Sequence, residues 1–76
     1  LGITVNSIDP GFILYNPTTK KQWKYYGKKG QEELIKKIHT RRLGKPEDIA
    51  NTAVFLSSEE ADWISGQIIS VDGGIS

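Results

Sequence analysis

The 76-residue sequence contains no cysteine and no methionine. The lack of cysteine excludes disulfides and cysteine-based metal sites, and no other metal-ligand pattern stands out. No apolar run approaches the roughly 20 residues that a membrane-spanning helix needs. Pro10-Gly11 interrupts the partly apolar start, so no signal peptide is visible. We therefore expect a soluble, cytoplasmic protein with no metal ion and no membrane partner.

Charge and length set two further limits. Ten basic and nine acidic residues give a net charge of +1, which argues against general binding to nucleic acid. A chain this short buries only about 60% of its unfolded surface, so its own core is marginal. With Leu1 first and no methionine anywhere, the simplest interpretation is a piece of a longer polypeptide.

The basic residues are unevenly placed. Five lysines fall between positions 20 and 29: Lys20, Lys21, Lys24, Lys28 and Lys29. Such a cluster is usually a solvated face, although an anionic substrate or carrier is the functional alternative. Aromatic residues interleave with these lysines and favour either a substrate pocket or the packing of a surface helix pair.

Two segments are typical of β-strands. Residues 2–9 place Ile3, Val5 and Ile8 among polar residues, and Pro10-Gly11 ends the run. Residues 67–71 form a second strand that ends at Asp72-Gly73-Gly74. These two segments lie near opposite ends of the sequence.

The middle of the chain predicts helices. Asn16-Pro17 is an N-cap pattern that opens a helix over 17–27, and Gly27 and Gly30 mark a break. A second amphipathic helix covers 31–41, and Gly44 is expected to stop it.

A further helix over 46–57 is apolar on about half its circumference, which predicts burial on two sides. Ser57-x-x-Glu60 is a capping-box pattern for a short helical turn after it. A strand–helix–strand order implies parallel strands joined by a right-handed crossover. Two strands cannot form an independently stable sheet, so we expect the other strands to come from elsewhere.

Four segments together resemble the short-chain dehydrogenase/reductase family. They are Asn6 to Ile13, matching N-x-(apolar)-x-P-G-x-(apolar); Arg42 to Ala50, matching R-x-G-x-P-E-(D/E)-(apolar)-A; Phe55 to Ser58; and Ile64 to Gly74, with its Asp-Gly-Gly end. Each is weak alone, but the order and spacing are those of the family. The resemblance is weakest over 14–40.

This resemblance implies the carboxy-terminal part of a doubly wound Rossmann-type parallel sheet, comprising its last two strands and the intervening helices. It divides the chain into a strand and cofactor loop (1–13), substrate-loop helices (14–41) and a helix with the last strand (42–76). The implied cofactor is NAD or NADP, and the implied substrate is an alcohol or carbonyl compound. The implied partners are the upstream part of the same protein and identical subunits in a homodimer or homotetramer.

The resemblance also places candidate cofactor residues. Pro10, Gly11 and Ile13 are expected to line the nicotinamide half of the cofactor, because a Pro-Gly turn lets the backbone approach a ligand closely. The family commonly has Thr two residues after Ile13, where this chain has Tyr15. We therefore expect Thr18 to supply the missing hydroxyl.

No catalytic residue is assigned to this chain. The Ser, Tyr and Lys of the family lie before the matching segments, so the chain alone is predicted to be inactive. Tyr25 and Lys29 have the Tyr-x-x-x-Lys spacing, but they follow the Pro-Gly loop, and we interpret the match as coincidence. Two other interpretations stay open: a small self-standing interaction module and a nucleic-acid-binding module.

Overall fold

The computed structural model describes residues 2–75. Its regular elements follow the predicted order of strand, helices, strand. In chain order they are strand β1 (Ser7–Pro10), helix α1 (Pro17–Lys37), helix α2 (Pro46–Leu56), a short 3-10 helix (Glu59–Ala61) and strand β2 (Ile68–Val71).

The two strands pair in parallel, as predicted, with a register that runs from Ser7 opposite Ile68 to Pro10 opposite Val71. The prediction of a strand over 2–9 is wrong at its start, since β1 begins at Ser7. The chain before Ser7 is held partly by side chains, because the N–H of Val5 donates to the Ser65 hydroxyl at 3.2 Å. Pro10 is tolerated because the N–H of the next residue, Gly11, makes the final bond to the Val71 carbonyl at 3.0 Å. The second strand likewise starts at Ile68 and not at residue 67.

Helix α1 begins as its sequence predicts. The side chain of Asn16 accepts a hydrogen bond from the N–H of Thr19 at 2.9 Å, and Pro17 occupies the first helical position. Gly27 interrupts the helix with φ 69° and ψ 175°, which confirms the predicted break there. The helix then continues through Gly30, so that glycine is not a second break.

The end of α1 differs from the prediction. The helix stops at Lys37 and not at 41, because Ile38 is extended and forms an antiparallel bridge with Ile75. The guanidinium of Arg41 donates to the carbonyls of Lys36 and Ile38, and so satisfies helix-end acceptors. Gly44 does not stop the helix.

Gly44 instead pairs with the loop after β1. It forms a parallel bridge with Ile13, and its N–H donates to the Phe12 carbonyl at 3.0 Å. A Cβ on Gly44 would lie 2.9 Å from Cγ1 of Ile13, so the close approach requires glycine.

Helix α2 packs on both strands and ends at Leu56, one residue before the predicted end. The predicted capping box at Ser57 is wrong. The Ser57 hydroxyl donates to the Ala53 carbonyl at 2.8 Å, and Ser58 precedes the 3-10 helix without a side-chain cap. Among residues 2–75, α2 is not buried on two sides, since Val54 is 71% and Phe55 48% exposed.

Residues 2–75 do not enclose a core of their own. Only Ile13, Ile38 and Ala61 are buried among them. The radius of gyration is 15.0 Å, whereas a compact domain of this length has about 11 Å. In the same part of the chain, neither helix combines the length and apolarity that crossing a bilayer requires.

Candidate functional site

The carboxyl ends of β1 and β2 meet at Gly11 and Asp72. A Cβ on Gly11 would lie 2.7 Å from Cβ and 2.8 Å from Cα of Asp72. The neighbouring strand end therefore approaches so closely that position 11 requires glycine. Ligands of open parallel sheets bind outside this edge of the sheet.

Two hydrogen bonds help to fix the loop after β2. The Asp72 carboxylate accepts from the N–H of Gly74 at 2.9 Å, and Gly73 and Gly74 both have positive φ. The N–H of Thr40 donates to the Gly73 carbonyl at 3.1 Å, which ties this loop to the segment after α1. These bonds fix the backbone conformation of the loop that follows β2.

A recess of about 310 Å³ opens beside the end of β1. Its lining residues are Pro10, Gly11, Ile13, Tyr15, Pro46 and Ile49. Three of the four predicted cofactor residues therefore lie around one recess, together with two apolar residues from the start of α2. Its volume is at the lower end of the range for small-molecule sites.

The backbone of Ile13 has unused hydrogen-bonding groups. Its side chain is buried, and no hydrogen bond within residues 2–75 uses its N–H or its C=O. A carboxamide has both a donor and an acceptor, so it can satisfy such a pair. The residues present at the recess therefore fit the nicotinamide end of a dinucleotide.

Thr18, the fourth predicted residue, is exposed in the first turn of α1 and does not line this recess. Tyr15, at the position where the family has Thr, lines the recess and is 65% exposed. The hydroxyl of Thr19 accepts from the N–H groups of Tyr15 and Asn16 at 3.3 Å each, so it is engaged in the helix cap.

Tyr25 and Lys29 lie on either side of the non-helical Gly27. They consequently do not share one helix face, although their spacing suggests it. Tyr25 is 88% exposed. These features agree with the interpretation that this Tyr-x-x-x-Lys spacing is coincidental.

Three aromatic residues join α1 to the loop after β1. The ring of Phe12 lies 5.8 Å from that of Trp23 and 6.0 Å from that of Tyr26, both tilted. Aromatic residues of the 14–41 segment thus pack against the strand-end loop, so the position of α1 depends on that loop.

Arg42 and Asp48 form a two-bonded ion pair that sequence reasoning did not identify. Their N–O distances are 2.9 and 3.0 Å, and the N–H of Lys45 also donates to Asp48 at 2.8 Å. These bonds, that from Arg42 above all, lower the pKa of Asp48 to about 2. The R-x-G-x-P-E-D motif contains both residues and was the sequence signal from which the ion pair could have been predicted. The geometry indicates that this motif begins α2.

Asn6 is a second residue whose role was missed. Its side-chain amide donates to the Ile64 carbonyl at 2.9 Å, and its side-chain oxygen accepts from the N–H of Gln67 at 3.1 Å. Both ends of the amide are therefore used to hold the chain before β1 against the chain before β2.

Comparison with known proteins identifies the family. The family model described as enoyl-(acyl carrier protein) reductase matches residues 1–76. The chain is also 43% identical over 74 residues to the 3-oxoacyl-[acyl-carrier-protein] reductase FabG of Rickettsia felis, covering 97% of this chain and 29% of that protein. The chain belongs to the short-chain dehydrogenase/reductase family. It spans less than a third of the length of the curated relatives that it matches.

Solved structures of family members confirm the Rossmann-type fold. A putative 2-deoxy-D-gluconate 3-dehydrogenase from Agrobacterium tumefaciens with bound NADP matches with a TM-score of 0.77 and 41% identity, covering 96% of this chain and 28% of that one. A 7α-hydroxysteroid dehydrogenase complexed with NADH matches with a TM-score of 0.78 and 42% identity, covering 95% and 27%. The paired parallel strands and α2 thus belong to a Rossmann-type fold, as predicted.

Proposed function

We propose that the chain is the carboxy-terminal segment of an NAD- or NADP-dependent oxidoreductase that interconverts an alcohol and a carbonyl compound. The observation that carries this proposal is the recess at the end of β1, into which Pro10, Gly11 and Ile13 converge. The unused N–H and C=O of Ile13 support it, because a nicotinamide carboxamide pairs with both. Family members with bound NADP and NADH support the choice of cofactor.

Each part of the chain has a separate role in this proposal. Residues 1–13 supply one wall of the nicotinamide site, residues 14–41 form the substrate lid, and residues 42–76 supply α2 and the last strand. The cofactor, when bound, supplies the hydride chemistry, and the protein positions it. Thr18 lies in the first turn of α1, which contains no acidic residue. Its hydroxyl contributes to the binding of the cofactor.

The exposed apolar residues support a subunit contact. Ile3, Val5, Val54, Trp63 and Ile68 are each more than 70% exposed among residues 2–75. Apolar surface on this scale is typical of surfaces that contact another protein or domain. We propose that the upstream part of the protein and an identical subunit cover it, giving a homodimer or homotetramer.

The test compares residues 1–76 alone with the natural polypeptide that contains them. Binding of NADH and NADPH is followed by fluorescence, and turnover by cofactor absorbance with ketones, sugars and oxoacyl thioesters. The natural polypeptide is expected to bind a cofactor and turn over at least one substrate class, and the segment alone is expected to do neither. A folded natural polypeptide that binds neither cofactor refutes the proposal.

A further inference from the structure

Helix α1 contains a bend that only glycine allows. Gly27 combines φ 69° with ψ 175°, a region of backbone conformation that is essentially restricted to glycine. A Cβ at this position would meet nothing within 4 Å, so the requirement comes from the backbone conformation and not from crowding. The bend divides α1 into a first half (17–26) and a second half (28–37).

The side chain of Gln31 joins the two halves across the bend. Its Nε2 donates to the main-chain carbonyl of Trp23 at 2.8 Å, eight residues back along the chain. In a straight α-helix, eight residues span about 12 Å along the axis, which is farther than a glutamine side chain reaches. The bond between Gln31 and Trp23 therefore requires the bent form, and it stabilises that form against a straight helix.

A second glycine lets the two halves approach each other. A Cβ on Gly30 would lie 3.1 Å from the Cβ of Tyr26, which is tighter than an ordinary contact between side chains. A larger residue at position 30 would therefore push the second half away from the first. Gly27, Gly30 and Gln31 thus serve one local geometry, and all three lie in the segment where the family resemblance is weakest.

Both halves of α1 are tied to the strand ends. The ring of Trp23 lies 5.8 Å from that of Phe12, which directly precedes Ile13 of the cofactor recess. At the other end of α1, Ile38 is buried and pairs with Ile75, beyond β2. Because contacts within this chain hold the bend and both ends of the helix, α1 has a defined shape before any ligand binds.

We propose that α1 is a preformed wall of the substrate site, and that Gln31 is a positioning residue that holds its bend. This inference rests on the proposed function, in which residues 14–41 lie over the substrate. A wall whose shape is fixed in advance need not be ordered when a substrate binds, so the bend contributes to substrate affinity. In this role Gln31 acts through Trp23 and needs no contact with cofactor or substrate.

The test compares two variants of the natural polypeptide that contains residues 1–76. Gln31→Met removes the hydrogen-bond donor at similar side-chain length. Gln67→Met is the matched control, because Gln67 also donates its side-chain amide to a main-chain carbonyl, that of Ser65 at 3.1 Å, but lies outside α1. Hydrogen exchange of the amides of residues 24–37 is measured by mass spectrometry. We expect Gln31→Met to speed this exchange about fivefold, the equivalent of one hydrogen bond, and Gln67→Met to leave it unchanged.

Two further measurements separate positioning from general damage. With a substrate class that the natural polypeptide turns over, Gln31→Met should raise KM about fivefold and leave kcat and the dissociation constant of NADH or NADPH unchanged. In the wild type, binding of NADH or NADPH should leave the exchange of residues 28–37 unchanged, because the wall is already formed.

The role of Gln31 is overturned by unchanged exchange in Gln31→Met, by equal acceleration in Gln67→Met, or by faster exchange with an unchanged KM. Exchange over 28–37 that slows about tenfold when NADH or NADPH binds overturns the preformed wall. In each of these cases cofactor binding by the wild type still supports the proposed function. A folded wild type that binds neither cofactor refutes the proposed function and the substrate wall with it, while the exchange measurement still decides whether Gln31 holds the bend.

Discussion

The backbone of Gly11 lies so close to Asp72 that a Cβ on Gly11 would be 2.7 Å from the Cβ of Asp72. The two residues follow the last paired positions of β1 and β2, so this contact sets the spacing of the two strand ends. The same strand end forms the wall of the recess that we assign to the cofactor. The contact between Gly11 and Asp72 therefore positions both the two strand ends and the wall of the recess.

Replacing Gly11 with alanine is expected to destabilise the protein by about 1–3 kcal/mol, the usual cost of overpacking. The added methyl group would also lie 2.8 Å from Cα of Asp72, which no side-chain rotation can relieve. Denaturant unfolding of the natural polypeptide measures the effect. Gly2→Ala is the control, because a Cβ at Gly2 meets nothing within 4 Å. Equal free energies of unfolding for the two variants would contradict the prediction.

Asn6 is expected to tolerate no acidic substitution. Asn6→Asp keeps the acceptor for the N–H of Gln67 but places a carboxylate oxygen against the Ile64 carbonyl, where the amide now donates. We expect a loss of about 1–3 kcal/mol in the free energy of unfolding. Asn51→Asp, at an exposed position of α2, makes the same chemical change as a control. The role assigned to Asn6 is wrong if the two variants unfold alike.

The Arg42–Asp48 pair gives the protein a defined dependence on pH. The pKa of Asp48 falls from 3.8 to about 2, so the folded state favours the ionised carboxylate. The resulting stabilisation is complete above pH 3.8 and disappears as the pH falls through 2. Asp48→Asn should therefore be less stable than the wild type at pH 5, and the gap should close toward pH 2.

Thermal unfolding of the two proteins across this pH range measures the gap. Glu47→Gln is the control. Glu47 lies in the same helix turn as Asp48, but its side chain makes no hydrogen bond within residues 2–75. The stability difference between Glu47→Gln and the wild type should therefore be smaller. A gap between Asp48→Asn and wild type that stays constant down to pH 2 would exclude the pair as its source.

Local sequence signals predicted the elements well. The cap at Asn16-Pro17, the break at Gly27 and the start of α2 at Pro46 were all found, because each depends on residues within one helical turn. The parallel pairing of β1 and β2 followed from the element order alone. The motifs then identified the family.

Two of the errors have a common cause, which is contact between residues far apart in sequence. Helix α1 ends early because Ile38 pairs with Ile75, and Gly44 was misread because its partner is Ile13. Neither partner can be found from local periodicity. For the same reason, the sequence placed Pro10, Gly11 and Ile13 at the cofactor but did not predict that Pro46 and Ile49 lie beside them.

Thr18 is expected to contribute to cofactor affinity without lining the recess at the end of β1. Thr18→Val removes the hydroxyl at constant size and should weaken NADH or NADPH binding about fivefold to tenfold, the equivalent of one hydrogen bond. Thr18→Ser keeps the hydroxyl and serves as the control. Fluorescence titration of the natural polypeptide gives both dissociation constants. If Thr18→Val binds like the wild type, the hydroxyl has no contact with the cofactor.

Val54 tests the subunit contact. It is 71% exposed on α2, so Val54→Glu should leave the fold of one subunit intact while placing a charge at the proposed contact. We expect the natural polypeptide to shift from dimer or tetramer toward smaller species, as measured by light scattering after size-exclusion chromatography. Lys37→Glu, at an exposed position of α1, controls for the added negative charge and should not change the mass. An unchanged mass for Val54→Glu, with a folded protein by circular dichroism, would show that α2 is not part of the subunit contact. The reason is that an unpaired buried carboxylate is too costly for a close-packed interface to retain.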